Sequence, residues 1–290
     1  MDRPRLGFIG AGVVGTALAS GLSDAGYPVV ALYSRTKRHA ADLARRIEGL
    51  AIADDPQSVV DSADIVFLTV PDDAIEEVAG SLLWSKGKSA VHCSGSRSLD
   101  PLQAASAAGA AVGVLHPLQA FATAEQARRN LRGSAFAIEA SDGALQGRLE
   151  GIARSLGGRP FRLSGDKKVL YHAAATIASN YLVTLIDLAS GLWEKFGLTK
   201  EDGFSALLPL IKGTVENLEA VGLPDALTGP IARGDVDTVK RHLQALGDVA
   251  PELASVYKGL GRSTIPIALA KGRIGEEKAK ELERLLGEER

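Results

Sequence analysis

Three glycines, Gly10, Gly12 and Gly15, fall at the spacing G-x-G-x-x-G. The chemistry open to that spacing is the cradling of a dinucleotide pyrophosphate. Glycine at the first position permits a sharp turn, at the second lets an anion approach the backbone, and at the third lets helix and strand pack closely. The pattern alone is weak, because glycine-rich turns are common. Here it follows the apolar run Leu6-Gly7-Phe8-Ile9 and opens an amphipathic stretch, the strand–turn–helix context that the mechanism needs. Gly10, Ala11, Gly12, Val13, Val14 and Gly15 are therefore assigned to cofactor binding, with the free N–H groups of the helix start turned to the anion.

The end of the next strand refines the cofactor. An NAD-preferring chain usually carries Asp or Glu there, bonded to the ribose hydroxyls. This chain has Ser34-Arg35-Thr36-Lys37-Arg38. Hydroxyls and guanidinium groups attract a 2′-phosphate that a carboxylate would repel. A solvated basic helix start is the plain alternative, but cations at a helix N-terminus oppose the macrodipole unless an anion sits there. Ser34, Arg35, Thr36 and Arg38 are read as phosphate ligands, and the cofactor as NADP.

A second set of residues could move protons. Lys168 and His172 lie four apart and share a helix face. Asn180 is embedded in an apolar run, where a buried amide needs partners. Reduction of a carbonyl or imine requires a proton donor beside the hydride acceptor and a cation or amide to orient the substrate. Lys168, His172 and Asn180 are the catalytic candidates; solvation of the lysine, a core role for the histidine and a loop contact for the amide are the plain readings. Val70, Pro71 and Ser94 fall at strand ends on the glycine-loop edge and are expected along the cofactor. Ser96 and His116, on the same edge, and Thr228 and Arg233, in a later Gly-rich loop, are substrate candidates. No metal is expected.

The elements that must position these residues alternate as strand and helix through the first half, the pattern of a mostly parallel, doubly wound α/β sheet. From Asp166 the pattern is helical throughout, so the chain reads as a Rossmann domain over 1–164 and an all-α substrate and dimerisation domain over 165–290. Asp166 to Phe196 is expected as one helix of about 45 Å, apolar all round and hence buried. Asp72 or Asp73 is expected to cap a helix after Val70, and short separate helices are expected over 251–259 and 265–271. The chain has 290 residues, 46% hydrophobic and 23% charged, with a net charge of −2. Neither nucleic acid nor an anionic membrane is indicated as a partner, and no stretch reads as a bilayer span. One cysteine, Cys93, in an apolar run, reads as a core residue and suggests a reducing compartment. A cytoplasmic homodimer, paired through the helical domain and acting on a small molecule, is the expectation.

The N-terminal half resembles the Rossmann domain of the 6-phosphogluconate dehydrogenase-like superfamily, which includes ketopantoate reductase, pyrroline-5-carboxylate reductase and the β-hydroxyacid dehydrogenases. Three segments sharpen this: His116-Pro117-Leu118-Gln119-Ala120-Phe121, Lys168 through Tyr181, and Leu227-Thr228-Gly229-Pro230-Ile231-Ala232-Arg233-Gly234-Asp235. They resemble a family of NADP-dependent oxidoreductases whose C-terminal domain has no assigned function. The resemblance implies a catalytic lysine on the helix after the Rossmann domain, matched by Lys168. The relatives' asparagine one turn later is here His172, and Asn180 lies further on. Hydride transfer between nicotinamide and a small carbonyl, hydroxy-acid or imine substrate is the function implied. The alternatives are a deazaflavin-linked NADP oxidoreductase and a non-catalytic NADP-binding sensor or scaffold.

Overall fold

The computed structural model describes residues 3–287, which divide into two compact units, one ending at Ser179 and the other beginning at Asn180. The first unit alternates β1 (Leu6–Ile9), α1 (Val13–Asp24), β2 (Val29–Tyr33), α2 (Lys37–Ala44), β3 (Ala51–Ile52), α3 (Pro56–Ser62), β4 (Ile65–Leu68), α4 (Ile75–Gly80), β5 (Ser89–His92), α5 (Gln103–Ala107), β6 (Ala111–Leu118), α6 (Ala124–Asn130), β7 (Ala135–Ala140), α7 (Gly143–Ser155), β8 (Arg159–Arg162) and α8 (Lys168–Ala178). The strands form one eight-stranded sheet in the order β3-β2-β1-β4-β5-β6-β7-β8. The chain first runs outward from β1 to β3, then crosses to β4 and continues the other way. That reversal creates the crevice between β1 and β4 in which open α/β sheets bind ligands. All neighbouring pairs are parallel except β6 and β7, which are antiparallel.

Both faces of the sheet are covered, as a parallel sheet requires. Phe8, Phe67 and Phe136 pack with Leu18 and Leu22 of α1 and Leu145 and Leu149 of α7. Phe8 and Phe67 stack with ring centroids 5.0 Å apart. On the other face Ile9, Val66 and Leu68 meet Val59 of α3, Ile75 of α4 and Leu102 with Ala105 of α5. The apolar runs that carry the strands thus supply both layers of the core at once.

The second unit is helical: α9 (Asn180–Gly191), α10 (Lys200–Val221), α11 (Pro230–Arg233), α12 (Val236–Val249), α13 (Pro251–Ala270) and α14 (Glu276–Leu286). Thr199 and Asp202 close a capping box at the start of α10, each side chain accepting the other's backbone N–H at 3.1 Å. Ile231, Val239, Ile265, Ala268, Leu282 and Leu286 form this unit's core.

Several sequence expectations are corrected. The helical run Gly165–Phe196 is interrupted at Ser179, whose φ of −118° and ψ of −70° end α8. The run is not buried within the chain: Leu170 is 78% exposed and Val183 67%, and only Lys168 and Ser190 are buried along α8 and α9. It is also long and apolar enough to cross a membrane by length and composition, contrary to the expectation that no stretch would be. The two short helices near the C-terminus are one, α13, which continues through Pro266. Neither Asp72 nor Asp73 caps α4, where no side-chain cap bond forms.

Candidate functional site

The glycine turn is fixed by sterics. Gly10 has φ +111°, and a Cβ there would stand 2.4 Å from the Thr69 carbonyl oxygen. A Cβ on Gly15 would meet the Gly10 carbonyl oxygen at 2.4 Å and Thr69 Oγ1 at 2.5 Å. Gly12 differs: a Cβ there meets nothing within 4 Å, so its bare face opens on free space at the start of α1. Two hydroxyls hold the turn, Thr69 Oγ1 donating to the Gly10 carbonyl at 2.7 Å and Thr16 Oγ1 to the Ala11 carbonyl at 3.3 Å. Thr69 was hidden in the sequence inside an apolar strand; only its hydroxyl marked it.

A cleft of about 410 Å³ begins at this turn. Gly10, Ala11 and Gly12 line one end, Ser34, Arg35, Thr36 and His39 another, and Val70 with Pro71 a third. Ser34 Oγ accepts the Thr36 N–H at 3.3 Å, and Thr36 makes no side-chain cap bond to α2. The cleft therefore offers an uncapped helix start, bare backbone at Gly12, and hydroxyl and guanidinium groups at the end of β2. These fit a dinucleotide carrying a 2′-phosphate. Val13 lines an adjoining space of about 280 Å³ with His39 and Arg46. Val14 packs on the core and Gly15 is buried, so their part in the turn is structural support. Arg38 lies on α2 and is absent from both linings.

Pro71, which lines the first cleft, leads directly to Asp72, whose carboxylate bonds the turn that follows β5. Ser94 Oγ donates to Asp72 Oδ2 and receives the backbone N–H groups of Ser96 and Arg97 at 3.3 and 3.2 Å. Ser96 Oγ also reaches Asp72 Oδ2 at 3.3 Å. The buried Ser94 hydroxyl is thus committed to shaping the 94–97 turn, and Ser96 is the more open of the two.

His92 is committed at both nitrogens. Nδ1 accepts the Ser94 N–H at 3.1 Å, so Nε2 must donate to the Ser98 carbonyl at 2.8 Å. Burial lowers its pKa to about 4, which keeps it neutral. Cys93 beside it is a free thiol raised to about 12 by burial and by Asp72, a packing residue and not a nucleophile.

Lys168, at the start of α8, is 1% exposed, and its Nζ lies 3.4 Å from Glu139 Oε2 on β7. The other carboxylate oxygen accepts the Gly165 N–H at 2.9 Å. Burial pushes the lysine below its ordinary value, and Glu139 opposes the shift. One turn on, His172 is exposed and packs against Gly95: a Cβ on Gly95 would stand 2.9 Å from His172 Cδ2 and 2.7 Å from His116 Nε2. His116 Nδ1 is 2.8 Å from the Tyr171 hydroxyl. The first unit therefore brings Ser96, His116, Lys168 and His172 to the edge that carries the cofactor cleft. Glu139 and Tyr171 complete the group. Neither was singled out from the sequence, where Glu139 ends an ordinary strand and Tyr171 sits in a helical run.

Asn180, Thr228 and Arg233 belong to the second unit. Asn180 opens α9, its carbonyl accepting the Thr184 hydroxyl at 3.3 Å. Thr228 and Arg233 line a cleft of about 430 Å³ with Lys271 and Arg273, and Lys271 Nζ is held by the carbonyls of Asp225 and Leu227 at 2.7 and 2.8 Å.

Comparison with known proteins gives family and fold similarities. Residues 5–95 match the family NADP oxidoreductase, coenzyme F420-dependent, and residues 134–264 match a domain of unknown function, DUF2520. The chain is 28% identical to the putative NADP oxidoreductase of Bacteroides fragilis, with 91% of this chain and 99% of that one covered and a TM-score of 0.72. A reductive aminase from Aspergillus terreus, solved with NADPH and ethyl-5-oxohexanoate, shares the fold at 18% identity and a TM-score of 0.63, covering 97% and 99% of the two chains. A probable 3-hydroxyisobutyrate dehydrogenase-like protein from Arabidopsis thaliana is 36% identical over 69 residues, 24% of this chain; the chain matches only about a fifth (21%) of that relative's length. A nucleotide-binding domain of the NADP oxidoreductase type is thus joined to a DUF2520 domain, and the cofactor is NADP.

Proposed function

We propose that this protein is an NADP-dependent oxidoreductase that reduces a small carbonyl or imine, or oxidises the matching hydroxy acid, at the edge where β4, β5 and β6 end. The observation that carries the reading is the continuity of one edge: the 410 Å³ cleft reaches Pro71, and Asp72 next to it bonds Ser94 and Ser96 of the turn that packs under His116 and His172. Bound NADPH supplies a hydride. The chain's own residues do the rest. Gly10 to Gly12 and the start of α1 would hold the pyrophosphate, Arg35 with Ser34 and Thr36 would hold the 2′-phosphate, and Val70 and Pro71 would lie along the nicotinamide side of the cleft. Lys168, held by Glu139, or the exposed His172 delivers the proton, and Ser96 orients the substrate. The Arg233 cleft, with its three cationic side chains, suits a carboxylate.

Fluorescence titration with NADPH and NADH, followed by an NADPH-oxidation assay over carbonyls and imines, tests the reading. Equal affinity for the two cofactors would remove the 2′-phosphate argument. Unchanged turnover in both Lys168→Ala and His172→Ala would remove the proton-transfer assignment.

A second reading follows from the description of the matched family over 5–95, which names coenzyme F420. Hydride would then pass between a reduced deazaflavin and NADP. Absorbance change on mixing the two with the protein separates this reading from the first. For the assembly we propose a homodimer formed through the helical unit, in a reducing, cytoplasmic setting. The exposed apolar side chains of α9 and α10 and the single free thiol support that placement.

A further inference from the structure

The hydrogen bond between Tyr171 and His116 can run in either direction, and the two directions give the site different chemistry. His116 is largely buried at the end of β6, and the neighbouring His172 and Lys168 are potential cations; burial first, then these charges, lower its pKa to about 4. The ring is therefore neutral, with one N–H and one lone pair. If Nδ1 carried the hydrogen, it would donate to the phenol oxygen, and the Tyr171 O–H would need another acceptor. None is found among the described residues. If Nε2 carries the hydrogen, Nδ1 accepts the Tyr171 O–H at 2.8 Å and both groups are satisfied there. The phenol is held for this: its ring meets His116 edge-on at 5.6 Å and Phe161 at 5.9 Å. Burial lifts its pKa to about 12, so it stays a donor.

His116 Nε2 has no protein partner among the described residues and is not sealed off as a buried unsatisfied atom. It lies beside the bare Cα of Gly95, next to His172, on the edge that carries the cofactor cleft. His92, one strand away, cannot take this part, since its two nitrogens are already bonded to Ser94 and Ser98.

We propose that Tyr171 is a positioning residue that fixes His116 as its Nε2–H tautomer, and that His116 donates this hydrogen to the oxygen of a carbonyl substrate. The inference rests on the oxidoreductase reading and narrows its substrate. Hydride from the reduced cofactor adds to the carbonyl carbon, the C=O π pair moves onto oxygen, and the oxygen then takes a proton from Lys168 or His172. A neutral N–H aimed at that oxygen stabilises the charge as it forms. A preformed iminium has no lone pair on nitrogen to accept the bond, so the site favours a ketone or aldehyde.

Long-range ¹H–¹⁵N NMR of the full-length protein, with His116 assigned through His116→Gln, reads the tautomer directly. The expected spectrum shows a pyrrole-like Nε2 and a pyridine-like, hydrogen-bonded Nδ1 that stay unchanged from pH 6 to 8. Tyr171→Phe shifts Nδ1 as its bond is lost and lets the tautomers mix. A pyrrole-like Nδ1 in the wild type, or no change in Tyr171→Phe, overturns the assignment. In the NADPH-oxidation assay, Tyr171→Phe lowers kcat on carbonyls about tenfold and leaves the NADPH Kd unchanged. Turnover of iminium substrates alone overturns the substrate class. Silence toward every substrate removes the oxidoreductase reading instead, and is distinguishable because the tautomer is read without turnover.

Discussion

Glu139 Oε2 stands 3.4 Å from the ammonium of Lys168, and the lysine side chain is 1% exposed. Burial lowers the pKa of this lysine, and the neighbouring carboxylate opposes the shift. Removing one member of a buried pair leaves an uncompensated charge and costs about 3–5 kcal/mol, whereas replacing both by apolar groups of similar volume is often neutral. Glu139 remains 18% exposed, so the lower end of that range is expected for Glu139→Gln. The double change Lys168→Met with Glu139→Leu is expected to recover most of the loss. Urea denaturation of the three proteins checks this; equal stability of Glu139→Gln and wild type would contradict it.

Gly95 is the second sensitive point. An alanine there places its methyl 2.7–2.9 Å from His116 and His172, so at least one ring must move. Overpacking of this kind costs about 1–3 kcal/mol. Gly95→Ala is expected to lower Tm and to impair turnover while leaving the NADPH Kd near its wild-type value, because the cofactor cleft is lined elsewhere.

The end of β2 governs cofactor choice. A hydrogen bond to a charged group contributes about 1.5–3 kcal/mol. Arg35→Ala is thus expected to weaken NADPH by roughly 10- to 100-fold, and NADH hardly at all. Paired fluorescence titrations measure the ratio, and a parallel loss for both cofactors would show that Arg35 does not read the 2′-phosphate.

His92 and His116 make stability depend on pH in one direction. Each has a native value of about 4 against an ordinary value near 6.5. The unfolded chain therefore binds more protons than the native one between those limits, and stability rises with pH across the window. The contribution is complete above about pH 6.5 and is lost as pH falls toward 4. At 1.36 kcal/mol per unit, the two together amount to about 7 kcal/mol at most. Denaturation midpoints at pH 7.5 and 4.5 should differ in that sense; replacing His92 or His116 by Gln should flatten the dependence even where it lowers the midpoint overall.

Much of this architecture is legible in the chain itself, and the exceptions have physical reasons. The apolar runs Ile65–Leu68 and Ser89–His92 read as central strands because parallel strands are buried on both faces. The same property hides direction: β7 is apolar like β6, and nothing in it announces that it runs antiparallel to that strand. The break at Ser179 carries neither Pro nor Gly, while Pro266, a customary stop, sits inside α13. The glycine turn and the basic end of β2 were legible as features because glycine spacing and strand-end chemistry are local. Glu139 was not, since its meaning comes from Lys168, brought near only by the fold. Asp72 reads in sequence as a cap; instead it binds the serines of a turn after the next strand.

The helical run Gly165–Phe196 poses the last question, because it passes for a membrane span by length and composition and yet carries one edge of the site. Between Lys168 and Glu194 the only acidic or basic side chain besides His172 is Asp187, and it is paired with Lys200 at 2.6 Å. Leaving the protein for a bilayer would cost α9 that pair and its contact with α10. There Gly203 approaches so closely that a Cβ would lie 2.7 Å from the Ser190 carbonyl oxygen. Apolar exposure also extends beyond this run to Phe204, Leu210, Val215 and Val221 on α10, a broader surface than a single spanning helix presents. Stable interfaces between proteins bury about 1,600 Å² in total, and a second copy of the chain is the occupant proposed for this one. Sedimentation is expected to give twice the mass of one chain, falling to a monomer in Val183→Asp combined with Leu210→Asp. A monomeric wild type that floats with phosphatidylcholine vesicles would sink the dimer and restore the membrane.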